Sequence, residues 1–388
     1  MSPEQPPCQA LYIHIPFCLA KCPYCSFFSL AGRSPDLHTK YSKALRQQIQ
    51  QQADDLRKAH VDLRTIFMGG GTPTCLAPDL LATVLADCLA HFPHTLPAEE
   101  MEISIEANPA TVDLEGLLIL RRAGCNRISI GVQSFDDKEL RSLGRVHTAA
   151  EAIRTVHLAR QAGFTNINLD LMYGLPGQSP ADWEKSLHHA LDLAPEHLAL
   201  YELTVEENTP FASQFAQGTL KLPPEDAILA MLDTTAAMTR QAGLERYEIS
   251  NYARPGLQCR HNLTYWHNQD YLGLGAGAVA CLAGLRQQAT TDLEKYISTI
   301  GKGQDIYVEQ ERLSREARFR ETMIMGLRMT RGINIAHIRE RFGIDPIVFY
   351  GETLARLIKM DLVQQPATHL RLTDRGLLLA NQILRELV

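Results

Sequence analysis

The chain lacks any apolar run long enough to cross a membrane as a helix. Its longest, Tyr271 to Leu285 (YLGLGAGAVACLAGL), is rich in glycine and shorter than the roughly 18–20 residues a span needs. It reads as a buried, turn-containing segment, and no transmembrane segment is expected. Basic charge is short as well. The 38 lysines and arginines face 44 aspartates and glutamates, a formal net charge of −6 that excludes a general nucleic-acid binder, which needs a basic footprint. The first residues, MSPEQPPCQA, lack a basic start followed by an apolar stretch, so no secretory leader is expected and the protein is placed in the cytoplasm. Nine cysteines, an odd number without an export signal, argue against a disulfide framework and for thiols that bind metal or lie buried. What is present in quantity is core material, 45% hydrophobic residues over 388 positions.

That material is ordered as parallel βα units, an α/β pattern. Strand candidates are LYIHIP (11–16), RTIFMGG (64–70), MEISIEANP (101–109), NRISIGVQS (126–134), NINLDLMYG (166–174) and HLALYELT (197–204). Helical patterns lie between and after them at 36–57, 78–90, 114–123, 149–162, 181–193 and 224–241, with Gly124, Gly163 and Gly243 at ends that need a left-handed cap. Six units predict an open, partial (β/α)6 barrel over residues 1–252, whose chemistry belongs at the carboxyl ends of the strands. GGGTP (69–73), EANP (106–109), Gln133-Ser134 and Asp170 are all expected there. After Tyr252 the pattern changes. Residues 253–312 read as a glycine- and aromatic-rich segment followed by a charged linker, and 313–388 as a small, mainly α, winged-helix-like domain ending in LRLTDRG (370–376). The charges of that tail are of both signs, which favours packing against the barrel over reading DNA.

Three of the nine cysteines, Cys18, Cys22 and Cys25, form a C-x3-C-x2-C loop directly after the first strand. A [4Fe-4S] cube normally takes four thiolates, so three in one loop leave an iron open to a small ligand. A zinc site wants a fourth cysteine or histidine at suitable spacing, and Ser26 to Ser29 offer neither. The scattered cysteines read as small buried hydrophobes. Cys259 stands out among them, two residues before His261. Tyr12 and His14 share one face of the first strand by its period of two, so both are able to point at the loop. Gly273-x-Gly275-x-x-Ala278 matches a dinucleotide fingerprint only superficially, because it follows a polar turn rather than a βαβ strand.

The stretches YIHIPFC-LAK-CPYC (12–25), GGGTPT (69–74), IEANP (105–109), GVQSF (131–135), LGRVH (143–147) and DLMYGLP (170–176) together resemble the radical-SAM family. The resemblance is to its branch of coproporphyrinogen dehydrogenases and heme chaperones, and it runs from Tyr12 into the tail. It implies one [4Fe-4S] cluster on Cys18, Cys22 and Cys25, with S-adenosyl-L-methionine on the open iron and an electron donor for the cluster. It also implies cofactor contacts from Tyr12, Tyr24, Gly70, Gly71, Thr72, Glu106, Gln133, Arg145 and Asp170. Glycines at 70 and 71 admit bare backbone to the ligand, and a zwitterion needs both signs of charge, which Arg145 and the two carboxylates supply.

Two features divide the branch. Its dehydrogenases carry a fourth cysteine two residues after the third, where Phe27 stands here, and a long segment ahead of the strand-1 tyrosine, where eleven residues precede Tyr12. The stretch His261-Asn-Leu-Thr-Tyr265-Trp266 resembles the HNxxYW motif of the heme chaperones, which implies a heme site of His261, Tyr265 and Trp266. An imidazole suits iron, and aromatic rings suit a porphyrin face. Where that group continues GAGAH, this sequence has Val279. The resulting expectation is a heme chaperone that passes heme to respiratory acceptor proteins, membrane-associated ones included. A porphyrinogen-oxidising enzyme and a scaffold that keeps the cluster without turnover are the alternatives.

Overall fold

The structure is a computed structural model that describes residues 7–32, 34–55 and 61–388. The first six residues of the N-terminal stretch read above, and the last two of the helix expected over 36–57, lie outside the described residues.

All six strand candidates are strands: β1 (Cys8–Ile15), β2 (Val61–Gly70), β3 (Glu102–Ala107), β4 (Arg127–Gln133), β5 (Ile167–Tyr173) and β6 (His197–Glu202). They pair in parallel and in chain order, each strand beside the next one along the chain. The connecting helices are α1 (Pro35–Asp55), α2 (Pro78–His91), α3 (Leu114–Ala123), α4 (Ala149–Gln161) and α5 (Pro180–Asp192), and α6 (Glu225–Gln241) follows β6. Their ends are written locally. Thr148 with Glu151 and Ser179 with Asp182 form capping boxes at α4 and α5, and Gly124 closes α3 in the left-handed region.

Residues 253–312 do more than link. They form helix α7 (Arg260–Trp266), strands β9 (Tyr271–Leu274), β10 (Val279–Leu282) and β11 (Leu285–Ala289), helix α8 (Leu293–Gly301) and strand β12 (Tyr307–Arg312). With β7 (Glu245–Arg246) and β8 (Asn251–Ala253) they complete a twelve-stranded sheet of order β12-β11-β10-β9-β1-β2-β3-β4-β5-β6-β8-β7. β9 joins the free side of β1 in parallel, and the strands beyond it are antiparallel. The charges of VEQER mislead a linker reading because β12 is an exposed edge strand, where charged side chains guard against further pairing.

Within each central strand the period of two divides the two faces. Ile103 and Ile105, Ile128 and Ile130, and Leu169 and Leu171 are fully buried in the core between sheet and helices. Their neighbours on the other face are polar, and Glu106, Arg127, Ser129, Asn168 and Asp170 all line one interior cavity. A second apolar core, from Phe319 to Leu387, belongs to the C-terminal region of α9 (Arg315–Leu327), α10 (Ile335–Phe342) and α11 (Pro346–Lys359) with a short three-stranded sheet.

Candidate functional site

The cavity holds about 590 Å³ and opens at the carboxyl ends of the strands. Cys18, Cys22 and Cys25 line it from the loop after β1, each a free thiol and partly exposed. Two of the sulfurs receive donors from other loops. Thr72 Oγ1 donates to Cys18 Sγ at 3.7 Å, and Arg145 Nη1 to Cys22 Sγ at 3.6 Å. Arg145 is fixed in turn by donating Nη2 to the carbonyl of Gly131 at 2.7 Å. Tyr24 packs against Phe211 and shares Arg145 and Cys22 as neighbours, and burial raises its hydroxyl pKa. Phe27 projects at the mouth, 70% exposed.

The glycine loop is shaped by what lies behind it. Gly70 has φ of 119°, and a Cβ there would stand 2.6 Å from the His14 ring. One on Gly71 would stand 2.7 Å from the Phe17 carbonyl and 3.0 Å from Cys18 Sγ. His14 sits behind this loop rather than in the cavity lining. Its Nδ1 pairs with the Tyr12 hydroxyl at 3.0 Å and its Nε2 with the Phe28 carbonyl at 3.1 Å. Burial lowers the imidazole to about 4, so it is neutral, and donation from Nε2 to the carbonyl leaves Nδ1 to accept from Tyr12.

Glu106 and Asp170 face each other across the interior. Burial, reinforced by the charge of Asp170, pushes Glu106 up to about 8, while the N–H of Gly70 works the other way at 3.1 Å. Asp170 is raised to about 6 by burial, against donors on Asn168 at 2.7 Å and on Ser129 at 3.2 Å. Asp170 does not stand at a strand end as expected. It is the fourth residue of β5, below the rim, because the strand continues to Tyr173. Gln133 ends β4 with φ of 67°, a left-handed backbone on a non-glycine residue beside a register shift, which turns its side chain toward the cavity.

Helix α7 forms part of the floor. Its N-terminus is met by Glu102 from the start of β3, whose carboxylate accepts the N–H of Arg260 at 2.7 Å and of His261 at 3.0 Å. His261 and Tyr265, four apart, share the inner face of the helix and line the cavity. His261 is buried between Thr65 Oγ1 at 2.8 Å from Nδ1 and the Tyr265 hydroxyl at 2.9 Å from Nε2, with its ring stacked on Phe67. Burial and the nearby Arg127 charge lower it to about 3, so it too is neutral. Trp266 is not brought to this site. One further residue along, it turns to the C-terminal region, where Arg328 lies over its ring at 5.4 Å. Val279 is likewise outside the cavity lining, in register with Gln288 on β11.

Sequence reasoning missed Arg127, Ser129 and Glu102. The signal was present. Once Gln133 and Glu106 are assigned to the interior, alternation carries Ser129 and Arg127 in β4, and Ser104 and Glu102 in β3, to the same face.

The Radical SAM superfamily matches residues 12–190, and the HemN C-terminal domain matches residues 313–379. A protein of Bacillus subtilis named heme chaperone HemW is 36% identical over 97% of this chain and 98% of its own length. The Escherichia coli protein of that name is 43% identical over 69% of each chain, and the Mycobacterium tuberculosis one 33% identical over 97% and 94%. Among solved structures, coproporphyrinogen III oxidase (HemN) of Escherichia coli, described as a radical SAM enzyme, superposes with a TM-score of 0.84 at 26% identity, covering 99% of this chain and 90% of its own. A six-unit open barrel carrying a cysteine loop at its rim, matched end to end by such relatives, belongs to the HemW family of radical-SAM proteins.

Proposed function

We propose that the chain is a heme chaperone that carries a [4Fe-4S] cluster on Cys18, Cys22 and Cys25, binds S-adenosyl-L-methionine beside it, and hands heme to acceptor proteins. The observation that carries this reading is that the cysteine loop and the His261–Tyr265 pair open into one cavity. The thiols suit a cube. A cube takes each thiolate on a separate iron, so three thiols spaced along one loop are suited to it. Thr72 and Arg145 supply hydrogen-bond donors to two of the three sulfurs.

A cluster held by Cys18, Cys22 and Cys25 would supply an electron to S-adenosyl-L-methionine bound beside it. The chain's part is placement. Gly70, Gly71 and Thr72 admit the ligand close to the cluster loop. Arg145 offers positive charge, Glu106 and Asp170 negative charge once ionised, and Gln133 an amide. Tyr12 and Tyr24 give it walls. For heme, the neutral imidazole of His261 is in the protonation state that ligates iron. Tyr265 is the hydroxyl it would exchange for the metal. Acceptor proteins, membrane-associated ones included, an electron donor and a cytoplasmic location complete the proposal. Among the described residues no helix is long and apolar enough to cross a membrane.

A second reading, oxygen-independent coproporphyrinogen III dehydrogenase, draws on the likeness to the solved oxidase. Phe27, exposed where the branch's dehydrogenases carry a cysteine, speaks against it. Anaerobic reconstitution followed by parallel assays separates the two. The chaperone reading expects a heme-bound Soret band and no conversion of coproporphyrinogen III. Protoporphyrinogen formation that is lost on replacing Cys18 would transfer the assignment to the enzyme.

A further inference from the structure

Arg127 opens β4, and its side chain lines the cavity from the floor while only 2% exposed. A guanidinium carries five N–H donors in a planar fork and keeps its charge inside proteins. The Nε of Arg127 is buried without a hydrogen-bond partner among the described residues. Burying such a donor unmatched is costly, more so when it is charged.

The acidic groups around it are already engaged. Glu102 accepts two backbone N–H groups of α7, and the Cys259 thiol at 3.4 Å. Asp170 accepts from Asn168 and Ser129. Burial works against the Arg127 charge and the carboxylates of Glu102 and Asp170 support it, so the guanidinium stays charged. These neighbours balance the charge without meeting the fork. The same cavity is lined by Tyr12, Phe67, Met172 and Tyr265, an aromatic and apolar enclosure.

We propose that Arg127 receives a carboxylate of the bound ligand at the floor of the cavity, one of the two propionates of heme. This rests on the heme reading above and extends it, fixing the depth and orientation of the macrocycle next to His261. Of the two carboxylate-bearing ligands, the position favours heme. Six residues of β4 separate Arg127 from Gln133, about 20 Å of strand at ~3.3 Å per residue, and the rim has its own cation in Arg145 beside Cys22. A carboxylate held near the cluster is met there, and one at the floor belongs to a larger ligand reaching down.

The test titrates heme and heme dimethyl ester, whose propionates carry no charge, into reconstituted wild-type protein, Arg127→Lys and Arg127→Gln. S-adenosyl-L-methionine is titrated in parallel. Wild type should prefer free heme by about ten-fold or more, the size of a charge-assisted hydrogen bond. Arg127→Gln should abolish that preference while keeping the affinity for the ester, Arg127→Lys should retain part of it, and cofactor affinity should stay within about two-fold. Equal binding of acid and ester by the wild type overturns the proposal, and needs no variant to fold. Arg127→Gln that weakens cofactor binding and leaves the heme preference intact overturns it by giving the carboxylate to the cofactor. Binding of neither porphyrin by the wild type overturns the heme reading, and this assignment with it.

Discussion

The carboxylate of Glu106 crosses from β3 to β2 and accepts the backbone N–H of Gly70 at 3.1 Å. This contact links the acidic interior to the glycine loop over the cysteines. It also sets a pH dependence. Burial and the Asp170 charge raise Glu106 from 4.5 to about 8, so the ligand-free native state holds a proton that the unfolded chain has released. Stability is therefore greatest below the unfolded value and falls as pH rises through that window. The melting temperature of ligand-free protein should drop between about pH 4.5 and pH 8, and Glu106→Gln should flatten the drop. Parallel profiles for the two proteins would contradict the assigned shift.

The cysteine loop makes a sharper prediction. Reconstituted protein should hold about four iron and four sulfide per chain, and Cys18→Ala, Cys22→Ala or Cys25→Ala should remove the broad visible absorbance. Cys88→Ala and Cys125→Ala should keep it and cost only roughly 1 kcal/mol of stability, since both thiols are packed in the core. Arg145→Ala should keep the cluster and weaken S-adenosyl-L-methionine binding by roughly 1.5–3 kcal/mol, read by titration against the cluster's spectrum.

Gly70→Ala should destabilise the fold by roughly 1–3 kcal/mol, through its positive φ and its collision with the His14 ring. Adding His14→Ala relieves the collision and leaves the backbone strain. The double variant should therefore melt between Gly70→Ala and His14→Ala. A Gly70→Ala protein as stable as wild type would show that the loop adopts another conformation.

The HNxxYW residues should separate by face. His261→Ala should shift the Soret band and lower heme affinity without touching the iron–sulfur absorbance. Trp266→Ala should leave the Soret band in place and lower the melting temperature, because Trp266 packs with Arg328 away from the cavity. A His261→Ala protein with unaltered heme spectrum and affinity would move the heme site elsewhere. Val279→His should change heme affinity little, since position 279 lies outside the cavity lining.

The six βα units, their helix caps and the cysteine loop could be read from local pattern, because each is fixed by residues close in sequence. Periods of two and 3.6 place side chains on faces, capping boxes span three residues, and C-x3-C-x2-C lies within one loop. Even the polar interior was available in this way, through the alternation that runs from Gln133 back to Arg127. The edge strands were less legible. β12 is charged along its length, and β9 owes its place to parallel pairing with β1, some 260 residues away in sequence.

The sequence by itself determined the open α/β barrel, the cysteine loop and the rim residues that share its mouth. Only the tertiary structure decided the floor: that Glu102 meets the N-terminus of α7, that His261 and Tyr265 face the cavity while Trp266 faces the C-terminal region, and that Arg127 lies buried with a donor unmet. The physical reason is one of range. A motif states which residues lie near one another along the chain. Whether a buried charge finds its partner depends on the summed fields and donors of segments that meet only when the barrel closes.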